Sequence, residues 1–197
     1  MRPNQPQLPR LRPMRERILE VATAHFVARG YDGVSMREIA DDCGITKAAL
    51  YYHFAGKSAV LNAIFTSYLD EIAEVVQASS AHGAGEVRLR WFVTELFALP
   101  PQRRAIMRLA MHDVGQLDPE FRAEFGRAYR GRFLDPLQQL VVEGVAAGEF
   151  VAKDPALVVR VLLGLLYPFF APPVAGAAQP EPIEDLLDII CDGLVRR

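Results

Sequence analysis

The 197-residue sequence predicts an all-α fold of about nine helices. Apolar residues recur three and four positions apart along most of the chain, which is the spacing of amphipathic helices. Glycine and proline residues lie between these segments, where helices end or begin. We predict no β-strand and no internal repeat. The composition, 51% hydrophobic and 23% charged, is that of an ordinary globular protein.

The first helix is predicted over residues 13–29, because Pro13 suits a first helical turn and Gly30 suits a C-terminal stop. The preceding residues, 1–12, are rich in proline and arginine and are expected to form a disordered arm. They contain no apolar segment of the kind that a secretory signal needs. The two cysteines, Cys43 and Cys191, form neither a disulfide framework nor a CxxC metal spacing, so the expected location of the protein is the reducing cytoplasm.

Two short helices joined by a tight turn are predicted within residues 34–57. Ser35 is a good N-cap and Glu38 follows three residues later, which makes a capping box. Gly44 tolerates the left-handed conformation that ends a helix, and Thr46 can cap the next one. A helix, a short turn containing glycine and a second helix make the helix-turn-helix pattern.

The outer face of the second short helix combines hydrogen-bond donors with aromatic rings. Lysine and tyrosine side chains bind DNA phosphates, and lysine also pairs with guanine edges. An ordinary helical hairpin with a polar outer face is the alternative interpretation. The distribution of charge favours DNA binding. Residues 1–60 hold nine Lys and Arg against six Asp and Glu, whereas residues 61–197 hold thirteen against eighteen, so the positive charge is concentrated near the helix-turn-helix.

The segment GVSMREIADDCGITKAALYYHFAGKSAVL, residues 33–61, resembles the DNA-binding signature of TetR-family transcriptional regulators. The resemblance implies a helix-turn-helix DNA-binding domain at residues 1–56 and an effector-binding and dimerisation domain at residues 57–197. It also implies contacts to double-stranded DNA from Arg37, Thr46, Lys47, Ala48, Tyr51, Tyr52, His53 and Lys57. Among these residues, we predict that Lys47 reads a base and that Lys57 binds phosphate.

The second domain is predicted to contain six further helices, separated by glycine- and proline-rich breaks. The predicted helices are residues 57–78, 86–98, 101–113, 119–147, 155–170 and 182–195. The first of them begins at the DNA-binding end and is the predicted mechanical link between the two domains. Pro136 should kink or interrupt the longest of them, so its two halves should have different surroundings.

Aromatic and methionine side chains in the second domain suit a cavity for a small apolar or aromatic effector, fatty acyl compounds included. The candidate lining residues are Phe65, Trp91, Phe92, Met107, Met111, His112, Phe125 and Tyr129. The same pattern is also typical of an ordinary helical core. Four arginines are candidates for binding an acidic head group or for a solvated face: Arg88, Arg103, Arg104 and Arg108.

The resemblance implies a homodimer built from the last two helices of each subunit. The first of these helices is apolar on almost every side and the second has one apolar stripe, which suits a four-helix bundle between two subunits. The predicted interface residues are Leu162, Leu166, Leu187 and Ile190. The alternative is that both helices fill the core of one subunit. A homodimer has two helix-turn-helix domains, which match the two half-sites of a palindromic operator.

Other classes of protein are disfavoured by the motifs. The four histidines lack zinc-site spacing, and there is no GxSxG, P-loop or GxGxxG sequence, so we expect neither an enzyme nor a bound metal or cofactor. Prolines interrupt the most apolar stretch, residues 161–178, so a membrane span is not expected. The predicted function is a dimeric repressor released from its operator by an effector. The alternative is a helical adaptor that does not bind DNA.

Overall fold

The computed structural model describes residues 13–170 and 183–194, and within these ranges the fold is all-α as predicted. The predicted arm at residues 1–12 lies outside the described residues. The α-helices are α1 Met14–Arg29, α2 Met36–Cys43, α3 Lys47–His53, α4 Lys57–Ala78, α5 Gly85–Ala98, α6 Pro101–Asp113, α7 Pro119–Tyr129, α8 Asp135–Ala146, α9 Pro155–Leu166 and α10 Ile183–Leu194. Single turns of 3₁₀-helix occupy Ser79–His82, Val114–Gln116 and Tyr167–Phe170, and a π-helical turn occupies Arg130–Leu134.

The first three helices form a head around a small core. Ile18 and Phe26 of α1, Ile39 of α2 and Leu50 of α3 are all fully buried. Helix α1 packs against α2, α4 and α6. The buried apolar side chains of the head join those of the remaining helices in one connected cluster, so the boundary between residues 56 and 57 is not marked by a gap in the core.

Helix α4 is the longest single α-helix among the described residues, and it runs from the head into the body of the protein. It packs against α1 at one end and against α5, α6, α7 and α8 further along. Val60 and Leu61 are buried near its start, and Ile72 and Val76 are buried near its end. The helix therefore connects the head with the interior of the second domain.

The helix predicted over residues 119–147 is interrupted just before Pro136. Proline has no N–H and its ring crowds the carbonyl group four residues earlier, so a regular α-helix cannot continue through this position. The structure instead inserts the π-turn, in which the N–H of Asp135 donates to the carbonyl of Arg130. The two halves differ as predicted: α7 has no fully buried residue, whereas α8 buries Leu137 and Leu140.

The last helix is held against α5 by apolar packing and by one arginine. The guanidinium of Arg90 donates to Glu86 and to Asp188, each at 2.7 Å, which links α5 to α10. On the inner side, Leu187 and Ile190 of α10 are buried. No helix in the described ranges is long and apolar enough to cross a membrane.

The four residues predicted at a dimer interface lie inside the single chain. Leu162, Leu166, Leu187 and Ile190 expose 5% or less of their surface. Helix α9 packs against α8 and α10, and α10 packs against α5, so these faces are already covered within one subunit. In this structure these four positions therefore lie in the core of one subunit, as the alternative interpretation has it.

Candidate nucleic-acid interface and ligand cavity

The turn between α2 and α3 sets the position of the second short helix. The capping box forms as predicted: Glu38 N–H donates to Ser35 Oγ at 3.3 Å, and Ser35 N–H donates to a Glu38 carboxylate oxygen at 2.8 Å. Gly44 ends α2 in the left-handed conformation with φ 67°. Thr46 Oγ1 then accepts the N–H of Ala49 at 3.1 Å, which caps α3. These hydrogen bonds fix where α3 begins and which of its faces is exposed.

The structure brings most of the predicted DNA-binding residues onto one exposed face. Thr46, Lys47, Ala48, Tyr51 and Tyr52 are all exposed. Tyr52 has 88% of its surface exposed, and the Lys47 ammonium lies 5.6 Å from the centre of the Tyr51 ring. Large aromatic side chains exposed to this degree are typical of interaction surfaces. The face therefore offers a cation, hydroxyl groups and flat rings to a partner.

The other three predicted DNA-binding residues differ in how accessible they are. Arg37 is 83% exposed and lies 3.7 Å from Asp41, so its guanidinium is open to an external partner. His53 is half-buried and meets the Tyr52 ring edge-on, with 5.5 Å between ring centres. The ammonium of Lys57 is partly buried and donates to the carbonyls of Tyr31 at 2.9 Å and Val34 at 3.0 Å. Two of its three protons are therefore used inside the head.

A chain of polar side chains joins α1 to α2 behind this face. Arg29 donates to Glu38 Oε1 and to His25 Nδ1, both at 2.7 Å. Because guanidinium only donates, His25 Nδ1 accepts, and His25 Nε2–H donates to Asp42 at 2.7 Å. The hydrogen bond from Arg29, followed by those from Ser35, lowers the pKa of Glu38 to about 2. These contacts hold the two helices in a single relative orientation.

A cavity of about 840 Å³ lies in the second domain between α4, α6, α7 and α9. Its described lining includes the aliphatic side chains of Leu69, Ile72, Leu134, Val159 and Leu163 and the aromatic side chains of Tyr68, Tyr167 and Phe170. Such a volume is in the upper part of the range of small-molecule sites, and such a lining suits an apolar ligand. Burial raises the pKa of the Tyr68 and Tyr129 hydroxyls, so both stay neutral at ordinary pH.

Four of the eight predicted lining residues line this cavity. They are Met107 and Met111 of α6 and Phe125 and Tyr129 of α7. Met111 is 61% exposed, which places it at the entrance. Phe125 and Tyr129 both face the cavity because residues four positions apart share one face of a helix.

The other four predicted lining residues lie elsewhere, and the sequence prediction was wrong about their position. Phe65 and Phe92 are fully buried in the core, where they pack against the rings of other residues. Trp91 stacks on His82 with 4.1 Å between ring centres. His112 lines a separate cleft between α1 and α6, and its Nε2 lies 3.1 Å from the hydroxyl of Tyr167. Residue type alone does not show which side of a helix faces the cavity.

Three of the four arginines proposed for an acidic head group make contacts inside the protein. Arg88 is paired with Glu143 and donates to Ser79 Oγ, and Arg103 donates to Glu71 at 2.7 Å. Arg104 is buried and donates to the carbonyl of Phe97 at 2.5 Å. The fourth, Arg108, lines a separate cleft between α1 and α6.

Sequence reasoning missed the arginines that do line the cavity. Arg122 projects from α7, Arg130 from the π-turn that follows α7, and Arg160 from α9. The available signal for Arg122 and Arg130 was helical spacing: positions 122, 126 and 130 are four apart and lie on one side of the helical segment formed by α7 and the start of the π-turn.

An apolar strip is exposed on the outside of α9. Leu157, Val161 and Leu165 are exposed by 50%, 52% and 39%, and Ile189 of the neighbouring α10 is exposed by 64%. The three α9 residues are four apart and therefore adjacent on one face. We call these four residues the α9/α10 strip.

Fold and site together define a protein with a helix-turn-helix head and a cavity among the helices that follow it. Residues 18–64 match the model for bacterial regulatory proteins of the tetR family, and residues 82–168 match the model for the tetracyclin repressor-like C-terminal domain. A TetR/AcrR-family regulator from Thermobifida fusca is 31% identical, covers 93% of this chain and 98% of its own, and superimposes with a TM-score of 0.67. The chain belongs to the TetR family and is a ligand-responsive, DNA-binding transcriptional regulator. It is not an enzyme.

Two further relatives are similar over most of the chain. The transcriptional repressor AcnR of Corynebacterium glutamicum is 26% identical over 185 residues, or 93% of both chains. AibR, solved in complex with isovaleryl coenzyme A and operator DNA, is 27% identical with a TM-score of 0.75, and the alignment covers 93% of this chain and 98% of AibR. Both alignments include the helix-turn-helix and the cavity-forming helices.

Proposed function

We propose that the protein is a homodimeric repressor that binds a palindromic operator in the cytoplasm and is released by a small, largely apolar effector. The observation that carries the proposal is the path of α4. Its first residue, Lys57, is bonded to the head, and its later residues Tyr68, Leu69 and Ile72 line the cavity. A ligand in the cavity therefore touches the same helix that supports the recognition surface.

Operator recognition is assigned to α3. Lys47 is the candidate for a guanine contact and Ala48 for a thymine methyl, while Tyr51 and Tyr52 suit phosphate or sugar contacts. Arg37, exposed near the start of α2, is in a position to meet the DNA backbone. Helix-turn-helix proteins commonly read two half-sites one helical turn apart, which requires a second head.

The second subunit is expected to cover the α9/α10 strip, because an exposed apolar strip of this kind is typical of an interaction surface. Val161→Glu places a charge in its middle and should give monomers in light-scattering chromatography, with weakened operator binding and unchanged helical content. Val142→Glu on α8 is the matched control, because Val142 is also exposed, at 43%, but lies outside the strip. A dimer that survives Val161→Glu would place the interface elsewhere.

Release is a population shift between two arrangements of the heads. The effector lowers operator affinity by its preference for the arrangement that does not fit DNA, and a preference of about 1–3 kcal/mol changes affinity about 5- to 150-fold. Helix α6 is a second connection, because Met107 and Met111 line the cavity while the helix also packs against α1. AibR, which was solved in complex with isovaleryl coenzyme A and operator DNA, supports a protein of this fold that takes both kinds of partner.

The test is fluorescence anisotropy with DNA from just upstream of the gene and with a scrambled duplex, at two salt concentrations. The expected result is a preference for the palindrome that persists at the higher salt concentration, because base contacts depend on salt less than phosphate contacts do. Equal binding to both duplexes that disappears with salt would contradict sequence-specific repression of its own gene. No binding at any salt concentration would favour the adaptor alternative.

A further inference from the structure

The charged groups around the cavity are all of one sign. Arg122, Arg130 and Arg160 line it, and among the described lining residues there is no aspartate or glutamate. The whole sequence has 24 acidic residues against 22 Lys and Arg, so the composition by itself does not favour cations at this site. The cavity is therefore apolar inside and positively charged where the arginines lie.

Among the described residues, the three arginines at the cavity have no partner, whereas several other arginines of the second domain are paired. Arg88, Arg90 and Arg103 are each paired with a carboxylate. Within the part of the chain that the structure describes, Arg122, Arg130 and Arg160 make neither an ion pair nor a side-chain hydrogen bond. All three are exposed, which places them at the rim of the cavity.

The rim position suits an anion. A guanidinium at the edge of a cavity keeps part of its hydration, so a ligand carboxylate or phosphate can pair with it without the full cost of burying two charges. Guanidinium also offers paired donors that match both of these groups. The apolar portion of such a ligand would fill the space between Ile72, Phe125 and Tyr129.

A second feature of the wall also indicates a ligand with polar atoms. The side chain of Tyr68 is 2% exposed, lines the cavity and has a hydroxyl group without a hydrogen-bond partner. A buried hydroxyl without a partner is unfavourable, and native proteins rarely retain one without a reason. A polar atom next to the apolar body of the ligand would satisfy it.

We infer that the effector is an amphipathic anion, with a carboxylate or phosphate at the arginine rim and a chain or ring system in the cavity. This inference rests on the proposed function and names the class of effector. A free long-chain carboxylate and an acyl coenzyme A share this chemistry. They differ in whether the negative charge is on the acid itself or on the phosphates of a carrier.

The experiment is calorimetric titration of the full-length protein with decanoate, decanoyl coenzyme A and decanol. The three probes have the same ten-carbon chain, so differences between them report the anionic group. We expect at least one anion to bind about tenfold or more tightly than decanol. A higher salt concentration should weaken the binding of the anion but not that of decanol, because salt screens exposed charges. The preferred anion identifies the source of the charge.

Variants distinguish the contribution of the rim arginines to ligand binding from a general effect of positive surface charge. Arg130→Gln and Arg160→Gln should each lower affinity for the preferred anion about three- to tenfold and leave decanol binding unchanged. Arg127→Gln is the matched control, because Arg127 is an exposed residue of α7 that does not line the cavity. It should change neither affinity.

Three outcomes would overturn the inference: failure of both anions to bind, decanol binding as tightly as the anions, or rim variants that behave like Arg127→Gln. Operator binding by the same ligand-free preparations distinguishes this failure from failure of the proposed function. If operator binding is intact in any of these cases, the repressor proposal stands and only the class of effector is wrong. If specific operator binding is absent, the repressor proposal fails as well.

Discussion

The main effect of Lys57→Met should be a less stable head, rather than the loss of a DNA contact. In the structure the ammonium donates to two carbonyls, at 2.9 and 3.0 Å, and lies 4.1 Å from the centre of the Tyr31 ring. Methionine keeps most of the length of the side chain but provides no donor and no charge. Loss of two partly buried charged hydrogen bonds and one cation–π contact should cost about 2–3 kcal/mol, at the lower end of the usual range because the site is partly exposed.

Urea unfolding followed by circular dichroism measures this effect, with protein concentration held constant because the proposed dimer makes stability concentration-dependent. The midpoint should fall by about 1 M or more, with an unchanged slope. Lys47→Met is the matched control: Lys47 is exposed on α3, so stability should change by no more than about 0.5 kcal/mol. That variant should instead lose about 1–3 kcal/mol of preference at one operator position.

The opposite result would refute the reasoning about Lys57. The sequence predicted a phosphate contact for this residue, and such a contact has its own signature. Its loss would weaken binding to operator and random DNA alike, and it would reduce the dependence of log affinity on log salt by about one. If the unfolding midpoint is unchanged and this signature appears, Lys57 binds DNA and its bonds within the head contribute little.

Three further changes test other parts of the structure. The hydrogen bond from Arg29, with those from the N-cap serine, lowers the pKa of Glu38 from 4.5 to about 2. The carboxylate therefore stabilises the fold above about pH 4.5, and this contribution is lost as the pH falls towards 2. Glu38→Gln should flatten the pH dependence of stability over that range in acid titrations. Gly144→Ala would put a methyl carbon 2.3 Å from the Phe150 ring and should cost about 1–3 kcal/mol in urea unfolding; an unchanged midpoint would contradict this close packing. Tyr68→Phe should raise the free energy of unfolding of the ligand-free protein by about 1 kcal/mol, whereas a decrease would mean that the hydroxyl is satisfied.

Local structure was the part of the fold that the sequence predicted best. The capping box of Ser35 and Glu38, the left-handed Gly44 and the cap at Thr46 all form as expected. Each depends on hydrogen bonds or backbone conformations within a few residues, so the information lies in adjacent positions. The interruption near Pro136 was predictable for the same reason, although its form, a π-turn, was not.

Helix faces were predictable only where one side alone is apolar. Helix α9 is apolar on nearly every side, and the sequence prediction put Leu162 and Leu166 at the interface. The structure buries both and exposes Leu157 and Val161 instead. Nothing in a stretch of leucine and valine distinguishes these positions, because the choice depends on which neighbouring helices cover which side.

The sequence by itself determined that the protein is helical, where its helix-turn-helix lies, and that it resembles TetR-family regulators, because these depend on short-range patterns. Only the tertiary structure decided which side chains share a space. It placed Phe125 on the cavity and Phe65 in the core, although the two rings are only 5.7 Å apart. Within the described parts of the chain, it also gave Arg103 a carboxylate partner and left Arg130 without one. The pairing of a charge and the side on which a ring packs depend on residues distant in sequence, and only the folded chain brings these together.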